Sequence, residues 1–288
     1  MRSLYRYKAY VVAGVLLAVT IAIWIAVFAE GRAGVLTVAV MDVGQGDAIY
    51  IQSPTGVEVL IDGGPDSSVL RELPEIMRPF DRTLDAVIET HPDADHVSGL
   101  VDVLARYQVR VFIEPGVPKN TATFAALLRE VDEKDIPHVI ARRGMQLELG
   151  RGAVLDILYP DHDVSTLPSD KANEGGIVAR LTYGEASALF MADVSNKVEA
   201  RLLTLGSALD VDLLKVGHHG SRTSTSDAFV KAVTPAAAII SVGKDNRYGH
   251  PTKEVLGTLE RNSAETFRTD EEGTVIFTSN GGTLVRTK

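Results

Sequence analysis

Cysteine is absent. The chain therefore has no disulfide framework, no thiolate zinc site and no cysteine nucleophile, and any metal must be held by His, Asp or Glu. A positive charge balance is absent as well. Against 29 Lys and Arg stand 38 Asp and Glu, a formal net charge of -9. That argues against a protein that coats nucleic acid nonspecifically. It leaves room for one phosphodiester at a metal centre, because an ion brings its own positive charge. There is no Pro/Ser-rich linker and no tandem repeat. Hydrophobic residues make up 45% of the 288, a globular composition sufficient for one large domain or two small ones.

Long apolar runs are scarce, and one stands out. Residues 9–29, "AYVVAGVLLAVTIAIWIAVFA", carry no charge. At about 1.5 Å per residue they reach roughly 30 Å, the thickness of a bilayer core. Arg2, Arg6 and Lys8 precede the run, and Glu30 and Arg32 follow it. It reads as a single transmembrane anchor. By the positive-inside rule residues 1–8 are then cytoplasmic and residues 31–288 form an extracytoplasmic domain at the cell membrane. A cleaved signal peptide is the competing reading, since Val27-Phe28-Ala29 resembles a small-residue cleavage site. Both readings export the domain. A buried soluble helix is the third.

The exported part reads as alternating strands and helices. "VLTVAVMDV", "DAIYIQSP" and "VEVLIDGG" are β-branched and broken by Gly, Pro and Asp, which predicts three strands over 35–64. A helical stripe over 70–80 follows despite Pro74, then a short strand over 84–90 and a helix from Val97 to Tyr107. In the second half "AVLDILYP", "GGIVARLTYG", "SALFMAD", "VDLLKVG" and "AAAIISVG" predict strands, with helices between the later ones. The tail, residues 265–288, predicts a meander with turns at Glu272-Gly273 and Asn280-Gly281-Gly282. Two sets of strands, each followed by helices, suggest two packed sheets with helices outside, in one α/β domain over 31–288.

The chemistry concentrates in "HPDADH". His91, Asp93, Asp95 and His96 fall within six residues on the loop after a predicted strand. Alternate positions of such a loop can point to one side. Mixed carboxylate and imidazole ligands suit Zn, Mn or Fe(II), and are typical of paired-metal hydrolytic sites. The bland alternative is a polar loop whose charges cap the next helix. Three further strand ends add to the metal reading: Asp193 in "ALFMAD", His218 and His219 in "LLKVGHHGS", and His250 in "NRYGHP". In α/β architectures such ends gather into one crevice. His138 and His162 read as structural or surface residues.

Together "DVGQGDAIYI", "VLIDGG", "HPDADHVSGL", "FMAD", "LLKVGHHGS" and "YGHP", in order from about Leu36 to Leu259, resemble the metallo-β-lactamase superfamily. The branch they resemble is the C-terminal metallohydrolase domain of ComEC-type competence DNA-uptake proteins. Asp93 stands where the superfamily signature has its second His. The resemblance implies an αββα sandwich and two divalent ions, Zn or Mn. By position, His91, Asp93 and Asp193 would hold one ion, and Asp95, His96, Asp193 and His218 the other. Asp193 would bridge them, and a shared hydroxide would be the nucleophile. His219, Lys215 and His250 are left for substrate or a developing oxyanion, Asp95 being counted with them as catalytic. Asp62 resembles the superfamily's buttress behind the metal loop. Asp42 and Asp47 in "DVGQGD" either contact the site or fix their loop, and Asn173 matches part of an N-x-x-S pattern whose Ser is Gly176 here.

These features predict a membrane-anchored, outward-facing binuclear hydrolase of a phosphodiester, with a nuclease acting on single-stranded DNA as the specific version. The alternatives are a hydrolase of another exported ester, such as a phosphocholine ester of cell-wall polymer, and a non-catalytic binding module. Lys215, Arg222, Lys244, Arg247 and Lys253 near the late motifs are candidate strand-binding cations, or simply a solvated face. One anchor cannot conduct DNA, so a separate membrane channel protein is the expected partner.

Overall fold

The structure is a computed structural model that describes residues 2–30 and 34–288. Helix α1 (Arg2–Glu30) runs for 29 residues. Its described side chains, Lys8 and residues 10–24, all face solvent. They include Tyr10, Val15, Leu16, Leu17 and Ile23. Among the described residues no helix is long and apolar enough to cross a membrane. The span expected over 9–29, and the Val27-Phe28-Ala29 cleavage site, rest partly on side chains outside the described residues. The first three residues of the expected domain, 31–33, also lie outside them.

From Leu36 onward the chain builds two large sheets. Strands β1 (Leu36–Val40), β2 (Ile49–Gln52) and β3 (Glu58–Ile61) form the expected antiparallel meander. A short parallel pair, β4 (Thr83–Leu84) and β6 (Gln108–Val109), lies apart. β5 (Ala86–Ile88), β7 (Phe112–Glu114) and β8 (His138–Ile140) extend the first sheet in parallel from β3. The second sheet begins with β9 (Gln146–Gly150), β10 (Ala153–Tyr159), β11 (Val178–Tyr183) and β12 (Ala186–Phe190), all antiparallel. It continues in parallel through β13 (Leu213–Lys215), β14 (Ala237–Ile240) and β15 (Glu265–Arg268).

The tail departs from the expected meander. β15 closes the second sheet, then a short helix, α8 (Thr269–Glu272), carries the chain across. β16 (Val275–Ser279) pairs with β1 of the first sheet, with β17 (Val285–Arg286) outside it. The turn expected at Asn280-Gly281-Gly282 joins β16 to β17, whereas Glu272-Gly273 is the end of α8 rather than a turn of a meander, because a chain that switches sheets looks locally like one that stays.

Alternation along the strands sets the layers. Val38, Ile51 and Ile61 of the first sheet share an apolar cluster with Leu155, Leu181, Phe190 and Ile239 of the second, so these faces pack together. On the other side of the first sheet Ala39, Tyr50 and Leu60 pack against α2 (Val69–Ile76), α3 (Ala94–Arg106) and α4 (Ala122–Glu133). On the far side of the second, Leu189, Leu214 and Ile240 pack against α5 (Asn196–Thr204), α6 (Asp227–Val233) and α7 (Lys253–Arg261). The order is helix, sheet, sheet, helix.

Two close backbone approaches bring the motifs together. A Cβ on Gly99 of α3 would lie 1.9 Å from the Gly63 carbonyl oxygen, so only glycine lets α3 sit on the "IDGG" loop. A Cβ on Gly46 would lie 2.1 Å from the Asp95 carbonyl oxygen, which locks "DVGQGD" against "HPDADH".

Candidate metal centre

The parallel strands β5 and β13 and the hairpin strand β12 deliver the candidate ligands. "HPDADH" leaves β5 and becomes the first turn of α3, Asp193 follows β12, and "GHHGS" follows β13. The turns are strained. Asp62, Ala192, His218 and His219 all hold positive φ, at 59°, 47°, 49° and 53°. Each non-glycine residue there costs of order 1–3 kcal/mol, and such outliers gather at functional sites.

Three imidazoles are oriented from behind. The Nδ1–H of His96 donates to Asp62 Oδ2 at 2.8 Å. Thr90 donates its N–H and its hydroxyl to the same carboxylate at 2.8 and 2.7 Å. With that hydroxyl hydrogen committed, Thr90 Oγ1 accepts from His91 Nδ1, 3.0 Å away. The His219 Nδ1–H donates to the Ser241 carbonyl at 2.9 Å. In each ring the remaining nitrogen, Nε2, is buried with no hydrogen-bond partner, as is Asp193 Oδ1. Buried polar atoms are rarely left so.

These bare atoms converge. His96 Nε2 is 3.5 Å from Asp193 Oδ1, and His219 Nε2 is 3.4 Å from both Asp193 Oδ2 and Asp95 Oδ2. Two atoms that are each about 2.1 Å from a tetrahedral ion lie about 3.4 Å apart. Ligand atoms of Asp95, His96, Asp193 and His219 all fall within 4.8 Å of one another. His91 joins from the side, its ring 4.1 Å from that of His96, with Nε2 3.8 Å from Asp93 Oδ2. Imidazoles braced at the far nitrogen, with carboxylates opposite, are the donor set and second layer of a divalent-ion site. The residues fit one.

Charge follows the same plan. Burial pushes the Asp193 carboxyl up, but His219 and His96 outweigh it and hold it well below the usual range. Burial pushes His96 down; Asp193 and Asp62 outweigh it and raise it well above the ordinary value. His219 is raised in the same way, by Asp193 and Asp47. Without a cation both rings hold a proton more tightly than an ordinary imidazole, and a metal ion competes with that proton. Buried His91, beside cationic His96, is lowered.

Several assignments shift. The resemblance placed His218 among the ligands and His219 against the substrate, whereas the ring nitrogen facing the cluster belongs to His219. His218 sits at the edge, 29% exposed, its Nε2 3.7 Å from Asp193 and its Nδ1 3.1 Å from Thr223 Oγ1. Lys215 was expected to meet substrate. It is 1% exposed and ion-paired with buried Asp47, so it cannot reach the opening. Asp47 also lies 3.3 Å from His219 Nδ1. Asp42 accepts from the Gly44 N–H at 3.3 Å and shapes its own loop. Asp93 is shared with an unexpected cation, Lys119, whose Nζ donates to it at 2.7 Å and to the Ser169 carbonyl at 2.9 Å.

A cavity of about 180 Å³ opens over the cluster, lined by Asp93, Asp95, Asp193, Asn173, His218 and His250 among others. His250 Nδ1 is buried there without a partner. His138 pairs with Glu114 and His162 with Asp161, as structural or surface roles require. Thr90 and Lys119 escaped the sequence reading. Thr90 adjoins the motif and was findable by position, but nothing in the sequence marks Lys119. Glu89 escaped too. It is fully buried, and burial together with Glu114 and Asp62 pushes its carboxyl well above the usual range.

Residues 41–244 match the sequence profile of the metallo-beta-lactamase superfamily. The chain is 31% identical over 261 residues to ComE operon protein 3 of Bacillus subtilis (strain 168), covering 83% of this chain and 32% of that protein. It is 31% identical over 244 residues to Recombination protein 2 of Haemophilus influenzae, covering 82% and 28%. With Competence protein ComA of Neisseria gonorrhoeae the identity is 27% over 242 residues, covering 83% and 32%. The chain thus spans about a third of the length of these relatives. Among solved structures it is similar to the metallo-beta-lactamase fold protein YhfI from Bacillus subtilis, with TM-score 0.59 and 14% identity over 85% of this chain and 100% of that one. Igni18, a metallo hydrolase from Ignicoccus hospitalis, gives TM-score 0.52 and 14% identity over 84% and 98%. At such identities the likeness is one of fold.

Proposed function

The chain belongs to the metallo-beta-lactamase superfamily, and from that premise we propose that it is a metal-dependent hydrolase of phosphodiesters, with single-stranded DNA as its specific substrate. The observation that carries the metal reading is the meeting of two bare imidazole nitrogens, of His96 and His219, with Asp193 and Asp95 beneath an open cavity, with the bare His91 nitrogen facing Asp93 beside them. The phosphodiester reading is supported by the competence and recombination proteins among its relatives.

His96, His219, Asp95 and Asp193 would hold one divalent ion, and His91, Asp93 and Asp193 would contribute to a second. Bound there, such ions supply Lewis-acid polarisation and lower the pKa of water toward neutrality. The protein's own part is orientation. Asp62, Thr90 and the Ser241 carbonyl fix the rings, so little reorganisation is needed at the moment of reaction. His218 and His250 line the opening, and in this reading they would meet the phosphoryl and leaving oxygens of a bound ester. Tethering completes the reading. The exposed apolar side chains of α1, preceded by Arg2, Arg6 and Lys8, would anchor the chain in a membrane with the hydrolase outside.

The test is cleavage of bis(p-nitrophenyl) phosphate and of a fluorescent single-stranded oligonucleotide by Mn²⁺- or Zn²⁺-loaded protein, wild type against Asp193→Ala. Cleavage of both that Asp193→Ala abolishes supports the reading. No cleavage of either by metal-loaded wild type defeats it.

A further inference from the structure

Beside the opening over the metal cluster lies a second cavity of about 360 Å³, in the range of small-molecule sites. Gln45, Asp95 and Tyr248 line both cavities, so the two adjoin at these residues. The second adds Pro65, Ala94, Asn246 and Arg247. Tyr248 is 53% exposed at the junction.

Tyr248 is not a loose surface ring. Asn246 clasps its loop from inside. The Asn246 Nδ2 donates to the carbonyls of Gly243 and His250 at 3.0 and 2.7 Å, and its Oδ1 accepts from the N–H groups of Tyr248 and His250 at 3.2 and 3.0 Å. The Tyr248 ring lies 5.8 Å from that of His250, tilted by 24°. The His250 ring lies 5.9 Å from that of His218 at the edge of the cluster. The Arg247 guanidinium stands 5.1 Å over the Tyr248 ring, its Nη2 donating to the phenol oxygen at 3.0 Å. A polyanion approaching this acidic protein meets Asp93 and Asp95 at the opening, while Lys215 is buried in its own ion pair. Arg247 is an exposed cation beside that opening.

An exposed aromatic plane held by a braced loop, with an arginine able to swing off it, is the pairing that binds single-stranded nucleic acid. The ring stacks any base, and the cation takes the backbone. We propose that Tyr248 and Arg247 form the subsite for the nucleotide flanking the scissile bond, its base stacked on Tyr248 in the second cavity and its phosphate held by Arg247. The inference rests on the phosphodiester reading and adds to it that the substrate is recognised through its bases, in single strands, without sequence preference.

The test compares three substrates on the full metal-loaded chain: a single-stranded oligonucleotide, an abasic oligomer with the same backbone, and bis(p-nitrophenyl) phosphate. Tyr248→Ala is expected to raise KM for the oligonucleotide on the order of tenfold with kcat unchanged. It is expected to leave the abasic oligomer unaffected. Tyr248→Phe keeps the ring and is expected to behave as wild type, which guards against a folding artefact. Arg247→Ala is expected to raise KM for both oligomers. Equal effects of Tyr248→Ala on based and abasic substrates, or none on either, would overturn the subsite. Wild type that cleaves only the small ester would overturn it too, while leaving the hydrolase standing. Wild type inert toward all three removes the phosphodiester reading itself and the subsite with it.

Discussion

His218 and His219 are neighbours in sequence and share a left-handed backbone, yet they end in opposite surroundings. His219 is buried, braced by the Ser241 carbonyl, and aims a bare nitrogen at Asp193 and Asp95. His218 is part-exposed at the edge of the opening. The contrast extends to the whole site. Its inner wall, His91, His96, Asp193 and His219, is buried and fixed by hydrogen bonds behind each ring. Its lip, His218, His250 and Tyr248, opens to solvent, and the part-exposed carboxylates Asp93 and Asp95 stand between the two. The wall is built to hold an ion in one geometry and the lip to meet a substrate, so substitutions in the two should fail differently.

The largest expected effect lies behind the wall. Lys215→Met leaves Asp47 charged and buried without its partner, and should cost about 3–5 kcal/mol of folding stability. Denaturant unfolding measures it, and a loss under about 1 kcal/mol would mean the pair is not the buried ion pair seen here. Next comes the wall itself. His219→Ala should weaken metal affinity by more than about 100-fold, since even an outer partner is worth about 10–100-fold. His218→Ala should cost less than that and act mainly on turnover. Equal losses in metal titrations would erase the distinction between wall and lip. Asp62→Ala, which removes the brace behind His96 and Thr90, should fall within that 10–100-fold range while every ligand remains.

The smallest effect is a change of sign with pH. In the metal-free protein His96 and His219 are raised above their ordinary 6.5. Their contribution to stability is fully present below pH 6.5 and is lost as pH rises through the folded values. Metal reverses this, because it binds the deprotonated rings and holds better as protons become scarce. Thermal midpoints measured as pH rises above 6.5 should fall without metal and hold or rise with it. Parallel slopes would contradict the assignment of these two rings.

Much of this was legible in the sequence. "HPDADH", Asp193 and the paired histidines after β13 were findable because ligand chemistry needs particular residue types at strand ends. The sandwich followed from strand composition and the order of helices. What stayed hidden depends on where a side chain points. "GHHGS" does not say which histidine turns inward, since two left-handed residues in a row decide it. Lys215 looked like a substrate cation until its burial against Asp47, 168 residues away, was visible. Lys119 meets Asp93 only because two loops converge. The tail was misread because pairing β16 with β1 is a contact between the two ends of the domain.

The most direct measurement is the divalent-metal content of the purified chain, wild type beside Asp193→Ala, after dialysis against metal-free buffer. The account predicts at least one tightly held ion per chain in wild type and its loss in the variant. Wild type that retains no metal, and takes none up in titration, would contradict it.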